Sequence, residues 1–321
     1  MNDRRPPCSI KLETLMQPIQ LLIMKIAFLI LSLIAFGTIS NAQYITDSIK
    51  VDGRYRSFVY QPEGSDQKSR NVIFILHGSG MTGKEMIPPS VSLQKLTDKE
   101  QLLLVYPDGY KHYWNECRKG ATSEANQLDI NEQGFFNGMI EYLSSRFDIN
   151  TSSCFAIGLS GGGHMAYKLG LTMPNRFKAI SAIVVNLPDT LNLDCAEAKK
   201  PLAVMITNGT KDPLNNYEGG DIIINGSNWG AIRSTSRTFT YWANLAGYIG
   251  NPTITALPDP DTTNGQSILR YTYQQQGKPE VTLLKVDGGV HAFPKDIDIF
   301  VESWNFFKRE MTRLAKAKVT K

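Results

Sequence analysis
Six short, largely apolar runs constrain this chain more than any other feature of its sequence. They are Asn71 to Leu76, Leu102 to Tyr106, Cys154 to Leu159, Lys178 to Val185, Leu202 to Thr207 and Val281 to Val286. Turn-forming residues follow most of them directly, as in His77-Gly78, Pro107-Asp108-Gly109, Asn208-Gly209 and Asp287-Gly288. A continuous apolar run of strand length predicts a strand buried on both faces, the usual state in a parallel sheet. Helical patterns lie between the runs. Ile130, Phe135, Phe136, Met139, Ile140 and Leu143 recur at helical spacing and predict a helix over Asp129 to Phe147. Further helices are predicted over Val91 to Glu100, Gly163 to Met173 (closed by Pro174), Arg237 to Ala246 (ending at Gly247) and Asp296 to Leu314. Ser48 to Tyr60 reads as a strand pair around Asp52-Gly53. Ser267 to Tyr273 reads as one arm of an antiparallel excursion. Asn208 to Ser236 and Gly247 to Gly265 read as irregular loops. Strands alternating with helices imply an α/β architecture: a mostly parallel central sheet with helices on both faces.

Composition agrees with one globular domain. Hydrophobic residues make up 42% of the 321 and charged residues 20%. The net charge is only +4, and Lys and Arg are scattered, so no nucleic-acid partner is expected. The N-terminus has its own pattern. Lys25 precedes an apolar run from Ile26 to Phe36, broken only by Ser32, and Ser40-Asn41-Ala42 follows. That order describes a secretory leader, and the run is short for a membrane span. Met24 stands immediately before Lys25. The expected organisation is therefore an over-extended gene start at 1–23, a leader at 24–42, and a single catalytic domain at 43–321. Cleavage after Ala42 would leave a secreted or periplasmic protein with no membrane attachment. Of the four cysteines, Cys8 precedes the expected start. Cys117, Cys154 and Cys195 remain, so one disulfide and one free thiol are possible, with the pairing open.

The third apolar run ends in Gly158-Leu159-Ser160-Gly161-Gly162, which has the G-x-S-x-G form. A strand before it and a helix after it are the context this motif requires. The turn is sharp, side chains flanking the serine would collide, and glycine relieves them. The hydroxyl is thereby presented at the positive end of a helix, where developing negative charge is favoured. A phosphate loop is the other use of such glycines, but the Lys or the glycine spacing it needs is missing here.

A serine hydroxyl needs a base. The chain has four histidines: His77, His112, His164 and His291. The expected chain order is serine, acid, histidine. His77 and His112 come too early, and His164 is locked to the helix that follows the serine. His291, in Gly288-Gly289-Val290-His291 after the last strand, is the candidate base. Asp212 follows the fifth run at the sheet edge where catalytic groups collect, and is the candidate acid. Asp189 and Asp194 are its rivals, while Asp287 lies too near His291 and reads as a turn residue. The Gly161 amide is one candidate oxyanion donor. The second comes from His77-Gly78-Ser79-Gly80, with the Ser79 amide favoured and Gly80 next. His77 would shape that loop. Trp114, Phe293 and Trp229 are candidate substrate-pocket walls. No metal or organic cofactor is needed for this chemistry.

Taken together, His77-Gly78-Ser79-Gly80, Tyr106-Pro107-Asp108-Gly109, Trp114-Asn115, Gly158 to Gly163, Gly209-Thr210-Lys211-Asp212 and Gly288-Gly289-Val290-His291 form an ordered set. The set resembles the α/β-hydrolase esterases that include polyhydroxybutyrate-depolymerase-like proteins and the feruloyl and acetylxylan esterases of carbohydrate esterase family one. The resemblance covers Ser48 to Phe307. It implies a Ser160–Asp212–His291 triad acting on a small-molecule, oligosaccharide or polyester ester. Phe293 stands where members often have Trp, and Val290 where Gly is commoner. No separate polyester-binding domain is visible, which leans the expectation toward soluble esters. An acyltransferase, a peptidase of similar fold and a non-catalytic secreted binding protein are the competing readings.

Overall fold
The computed structural model describes residues 44–62, 69–224 and 226–319. The expected leader and gene-start segment lie outside the described residues. Among the described residues ten strands form one sheet: β1 (Ile45–Val51), β2 (Arg54–Tyr60), β3 (Arg70–Leu76), β4 (Leu102–Pro107), β5 (Ile149–Leu159), β6 (Phe177–Ile183), β7 (Ala203–Gly209), β10 (Thr253–Ala256), β11 (Ser267–Tyr273) and β12 (Val281–Asp287). Their order is β1-β2-β4-β3-β5-β6-β7-β12-β11-β10. The six strands from β4 to β12 in that order are mutually parallel. Antiparallel pairs close both edges. All six apolar runs of the sequence are these six parallel strands.

Alternation along each strand divides the core in two. Val72, Phe74, Leu76, Cys154 and Ala156 face one cluster. It is completed by α1 (Glu132–Ser144), α2 (Gly161–Thr172) and α3 (Thr235–Leu245), which contribute Phe136, Met165 and Trp242. Ile73, Ile75, Phe155 and Ile157 face the other cluster, against Phe300, Trp304 and Phe307 of α4 (Ile299–Val319). Burying one large apolar side chain contributes roughly 1.5–3 kcal/mol, so the sheet is held from both sides.

Element ends differ from the sequence reading for local reasons. α1 starts at Glu132 because Asp129 takes φ +45 and Asn131 caps the Gly134 amide. α4 starts at Ile299, where the Asp298 carboxylate accepts the amides of Phe300 and Val301. The helix expected over Val91 to Glu100 is two single turns, Val91–Gln94 and Thr97–Glu100. β5 begins five residues early, at Ile149, because the polar residues Asn150 to Ser153 interrupt the apolar signal. Two expected loops contain strands. The region Asn208 to Ser236 holds a hairpin of β8 (Gly220–Ile224) and β9 (Ser227–Ile232). The region Gly247 to Gly265 holds β10, whose residues are all exposed and so show no burial pattern.

The open cysteine question is settled by a Cys117–Cys195 disulfide, which ties the segment after β4 to the segment after β6. Arg118 and Leu193 pair beside it, and the Lys119 amide donates to Asn192 O. Among the described residues Cys154 is the free thiol, and burial pushes its pKa up to about 12, which leaves it unreactive. Among the described residues, no helix is long and apolar enough to cross a membrane.

Candidate active site
Four loops leave the same end of the sheet, after β3, β5, β7 and β12. In the sheet, β3 borders β5, and β6 alone separates β5 from β7, which borders β12. The loops therefore meet above the sheet centre, although their residues are far apart in sequence.

Ser160 sits between β5 and α2 at φ 50 and ψ −115. Positive φ is strained for any residue with a Cβ, so the surrounding structure must hold it. Its amide donates to Ile183 O at 2.9 Å, and its carbonyl accepts from the His164 amide at 3.0 Å. The flanking glycines permit the close approach. A Cβ on Gly158 would stand 2.1 Å from Gly162 O, and one on Gly162 would stand 2.3 Å from Leu76 O.

The Ser160 hydroxyl lies 2.9 Å from His291 Nε2, and His291 Nδ1 lies 2.8 Å from Asp212 Oδ2. An ionised carboxylate can only accept. His291 Nδ1 therefore carries the proton and donates to Asp212, which leaves Nε2 free to accept from the serine. Asp212 has a fully buried side chain, and its other oxygen accepts the amides of Leu214 at 2.9 Å and Asn215 at 2.8 Å. The β7 and β12 loops are pressed together. The Lys211 amide donates to Gly289 O, and a Cβ on Gly209 would fall 2.3 Å from that same oxygen. Asp287, the last residue of β12, accepts from the Thr210 hydroxyl in the neighbouring loop. The rivals are elsewhere engaged. Asp189 pairs with Arg237, whose hydrogen bond lowers its pKa. Asp194 lies beside Lys168, and burial raises its pKa.

Gly161 and Ser79 are close neighbours: a Cβ on Gly161 would lie 3.0 Å from Ser79 N. Neither amide donates to a backbone carbonyl among the described residues. Gly161 is the first residue of α2, where amides have no carbonyl one turn back. Gly80 is corrected as a donor: its amide already donates to His112 O at 2.9 Å. His77 is fully buried beneath this loop. Its Nδ1–H donates to Gly78 O, and its Nε2 accepts the Gly109 amide. Burial lowers its pKa, so the ring stays neutral, as that pattern requires.

Two expected pocket walls are corrected to core positions. Trp114 is buried, and its indole N–H donates to His77 O, which fixes the loop from below. Trp229 is buried in a small cluster with Ile222 and Ile232, under the Arg118 guanidinium. Phe293 is half-buried, with its ring 5.3 Å from that of Phe300. A cleft of about 740 Å³ lies at the other end of β12, lined by Gln274, Lys278, Arg309 and Arg313. It is separated from His291 by the length of the strand.

His164 is buried one helical turn after Ser160, and its Nδ1 has no partner among the described residues. Burial first, then the charges of Arg118 and His291, push its pKa well below the ordinary value. The folded protein thus refuses a proton that the unfolded chain accepts below about pH 6.5. The stability this group contributes is present above that pH and is lost as pH falls. Relative to His164→Gln, the wild type should lose stability progressively as pH falls below about 6.5. Urea unfolding of both proteins between pH 7 and 5 measures this, and parallel profiles would refute it.

The strand order, the elbow and the loop positions define an α/β-hydrolase. The chain belongs to the esterase family described as "Putative esterase", which it matches over residues 48–237. That span contains Ser160 and Asp212 and ends before His291. Feruloyl esterase D of Neurospora crassa is 26% identical over 194 residues, 57% of this chain and 61% of that protein. Feruloyl esterase C of Emericella nidulans is 26% identical over 170 residues, 51% of this chain and 57% of that one. The matches thus span about three fifths of those relatives. Acetyl xylan esterase from Aspergillus awamori has the same fold, with a TM-score of 0.54 at 14% identity, covering 82% of this chain and 99% of that one.

Proposed function
We propose that this chain is an exported serine carboxylester hydrolase, with residues 43–321 as its catalytic domain and residues 24–42 as its leader. The observation that carries the reading is the relay from Asp212 through His291 to Ser160, with contacts of 2.8 and 2.9 Å. Ser160 attacks the ester carbonyl while His291 Nε2 takes its proton. The Gly161 and Ser79 amides receive the oxyanion. His291 then protonates the departing alcohol, and a water repeats the sequence on the acyl-enzyme. Asp212 keeps the proton of the resting imidazole on Nδ1 and stabilises the imidazolium. The Cys117–Cys195 disulfide supports an oxidising compartment.

An apolar rim supports the substrate class. Leu214 follows the Asp212 turn and Val290 precedes His291, and each is 47% exposed. Open apolar side chains beside a relay favour an ester with an apolar or aromatic face. The names of the feruloyl esterase relatives point the same way, toward feruloyl esters. The test is a panel of methyl ferulate, acetylated xylan, short p-nitrophenyl esters and a polyhydroxybutyrate suspension. Hydrolysis of p-nitrophenyl esters and methyl ferulate, with little release from the suspension, is the expected result. A folded protein that cleaves none of the four would overturn the proposal.

A further inference from the structure
The end of β6 touches both sides of the relay. Ile183 O receives the Ser160 amide on one side. On the other, the next three residues run into a chain of buried carboxamides that leads to Asp212. Asn208, at the end of β7, accepts the Val185 amide at 2.8 Å and donates to Val185 O at 3.1 Å. Its Nδ2 also reaches Asn186 Oδ1 at 2.8 Å and Thr235 Oγ1 at 3.0 Å. The Asn186 amide donates to Asn215 Oδ1 at 2.9 Å. The Asn215 amide donates to Asp212 Oδ1 at 2.8 Å. All three asparagines are buried, a costly place for a carboxamide unless its geometry is used.

The backbone is bent to make these contacts. Val184 takes φ +51, a region that β-branched residues avoid, and it is buried. Its amide still donates to Thr207 O at 2.7 Å, the last bond of the parallel ladder with β7, so the bend falls where that ladder ends. The bend turns the amides of Val185 and Asn186 toward β7 and the acid turn. Strain of this kind persists only where the surroundings over-determine it, and it gathers at functional sites.

We propose that Asn215, held by Asn186 and Asn208, is the positioning residue for Asp212, and that the bent end of β6 sets the acid and the nucleophile to one common reference. The inference rests on the reading of Ser160, His291 and Asp212 as a triad. Asn215 touches neither substrate nor the reacting atoms. It acts by fixing the turn from Asp212 to Asn215, and so the direction in which Asp212 Oδ2 meets His291.

The test compares wild type with Asn215→Ala and Asn208→Ala, with Ser160→Ala as the labelling control. Two readouts need no known ester: the rate of Ser160 labelling by a fluorophosphonate, and the low-field proton resonance of His291 Nδ1–H. A loosened acid should slow labelling roughly 10- to 100-fold, because small displacements of catalytic groups carry losses of that order. The low-field resonance should broaden or shift, while near-UV circular dichroism stays native. On any ester the wild type cleaves, kcat should fall with KM little changed. Unchanged labelling and an unchanged resonance in the folded Asn215→Ala protein would overturn the positioning role. Should Asn208→Ala not fold, Asn215→Ala decides alone; should Asn215→Ala not fold, Asn186→Ala, which keeps the donating amide but frees it from Asn208, is read in the same way. A wild type that labels but cleaves no ester removes the substrate reading and leaves this inference standing. A wild type that does not label removes the triad and the inference with it.

Discussion

With Ser160 replaced by Ala, hydrolysis of a short p-nitrophenyl ester should fall by about a millionfold, the scale seen when the nucleophile of a serine relay is removed. The fold should be untouched. Alanine keeps the Cβ, so the strained turn at φ 50 is the same for both residues. The two hydrogen bonds that anchor the position, to Ile183 O and from the His164 amide, belong to the backbone and survive. What disappears is the Oγ that His291 Nε2 faces at 2.9 Å. Any residual rate would come from the oxyanion donors and substrate binding alone. Initial rates on p-nitrophenyl acetate, with a thermal melt of each protein, measure both halves of this expectation. Residual activity near the wild-type level would remove Ser160 from the chemistry.

The sequence exposed what burial and chain order could encode. The six parallel strands are enclosed on both faces, and that enclosure makes each a largely apolar run. The serine turn is legible because close packing demands glycine at Gly158 and Gly162. His291 emerged by elimination because the chain has so few histidines. Other features had no such signature. β10 is exposed at all four positions, so nothing alternates. The β8–β9 hairpin is short and lies among Gly and Asn, which read as loop. The Cys117–Cys195 pairing depends on loops from different strands meeting, which spacing does not encode. The choice between Ser79 and Gly80 turned on one long-range hydrogen bond, Gly80 to His112. Trp114 and Trp229 looked like pocket walls because aromatic composition does not say which way a ring packs. The asparagines under Asp212 were equally hidden, since a buried carboxamide and a loop asparagine are the same letter.

Changing Asp212 to Asn should cost about 10⁴-fold in kcat, far more than Asp194→Asn or Asp189→Asn. The reason lies in what each oxygen of Asp212 already does. Oδ1 accepts two backbone amides, from Leu214 and Asn215. A carboxamide at this position must put its oxygen there, because an NH₂ would face two N–H donors. Its NH₂ is then left facing His291 Nδ1 at the distance now occupied by Oδ2. A donor at that place forces Nδ1 to accept, so the neutral ring must carry its proton on Nε2. That nitrogen can no longer take the proton of Ser160, and the base is lost without any change of shape. Asp194 and Asp189 make no contact with His291, so their amides should leave the rate within about twofold, the scale of a change of a few tenths of a kcal/mol. Activity of Asp212→Asn should recover at high pH only if hydroxide replaces the general base, a slope that rate measurements on p-nitrophenyl acetate from pH 6 to 10 would resolve. Equal losses for Asp212→Asn and Asp194→Asn would mean that the buried carboxylate beside His291 is structural and that the imidazole is oriented by another group.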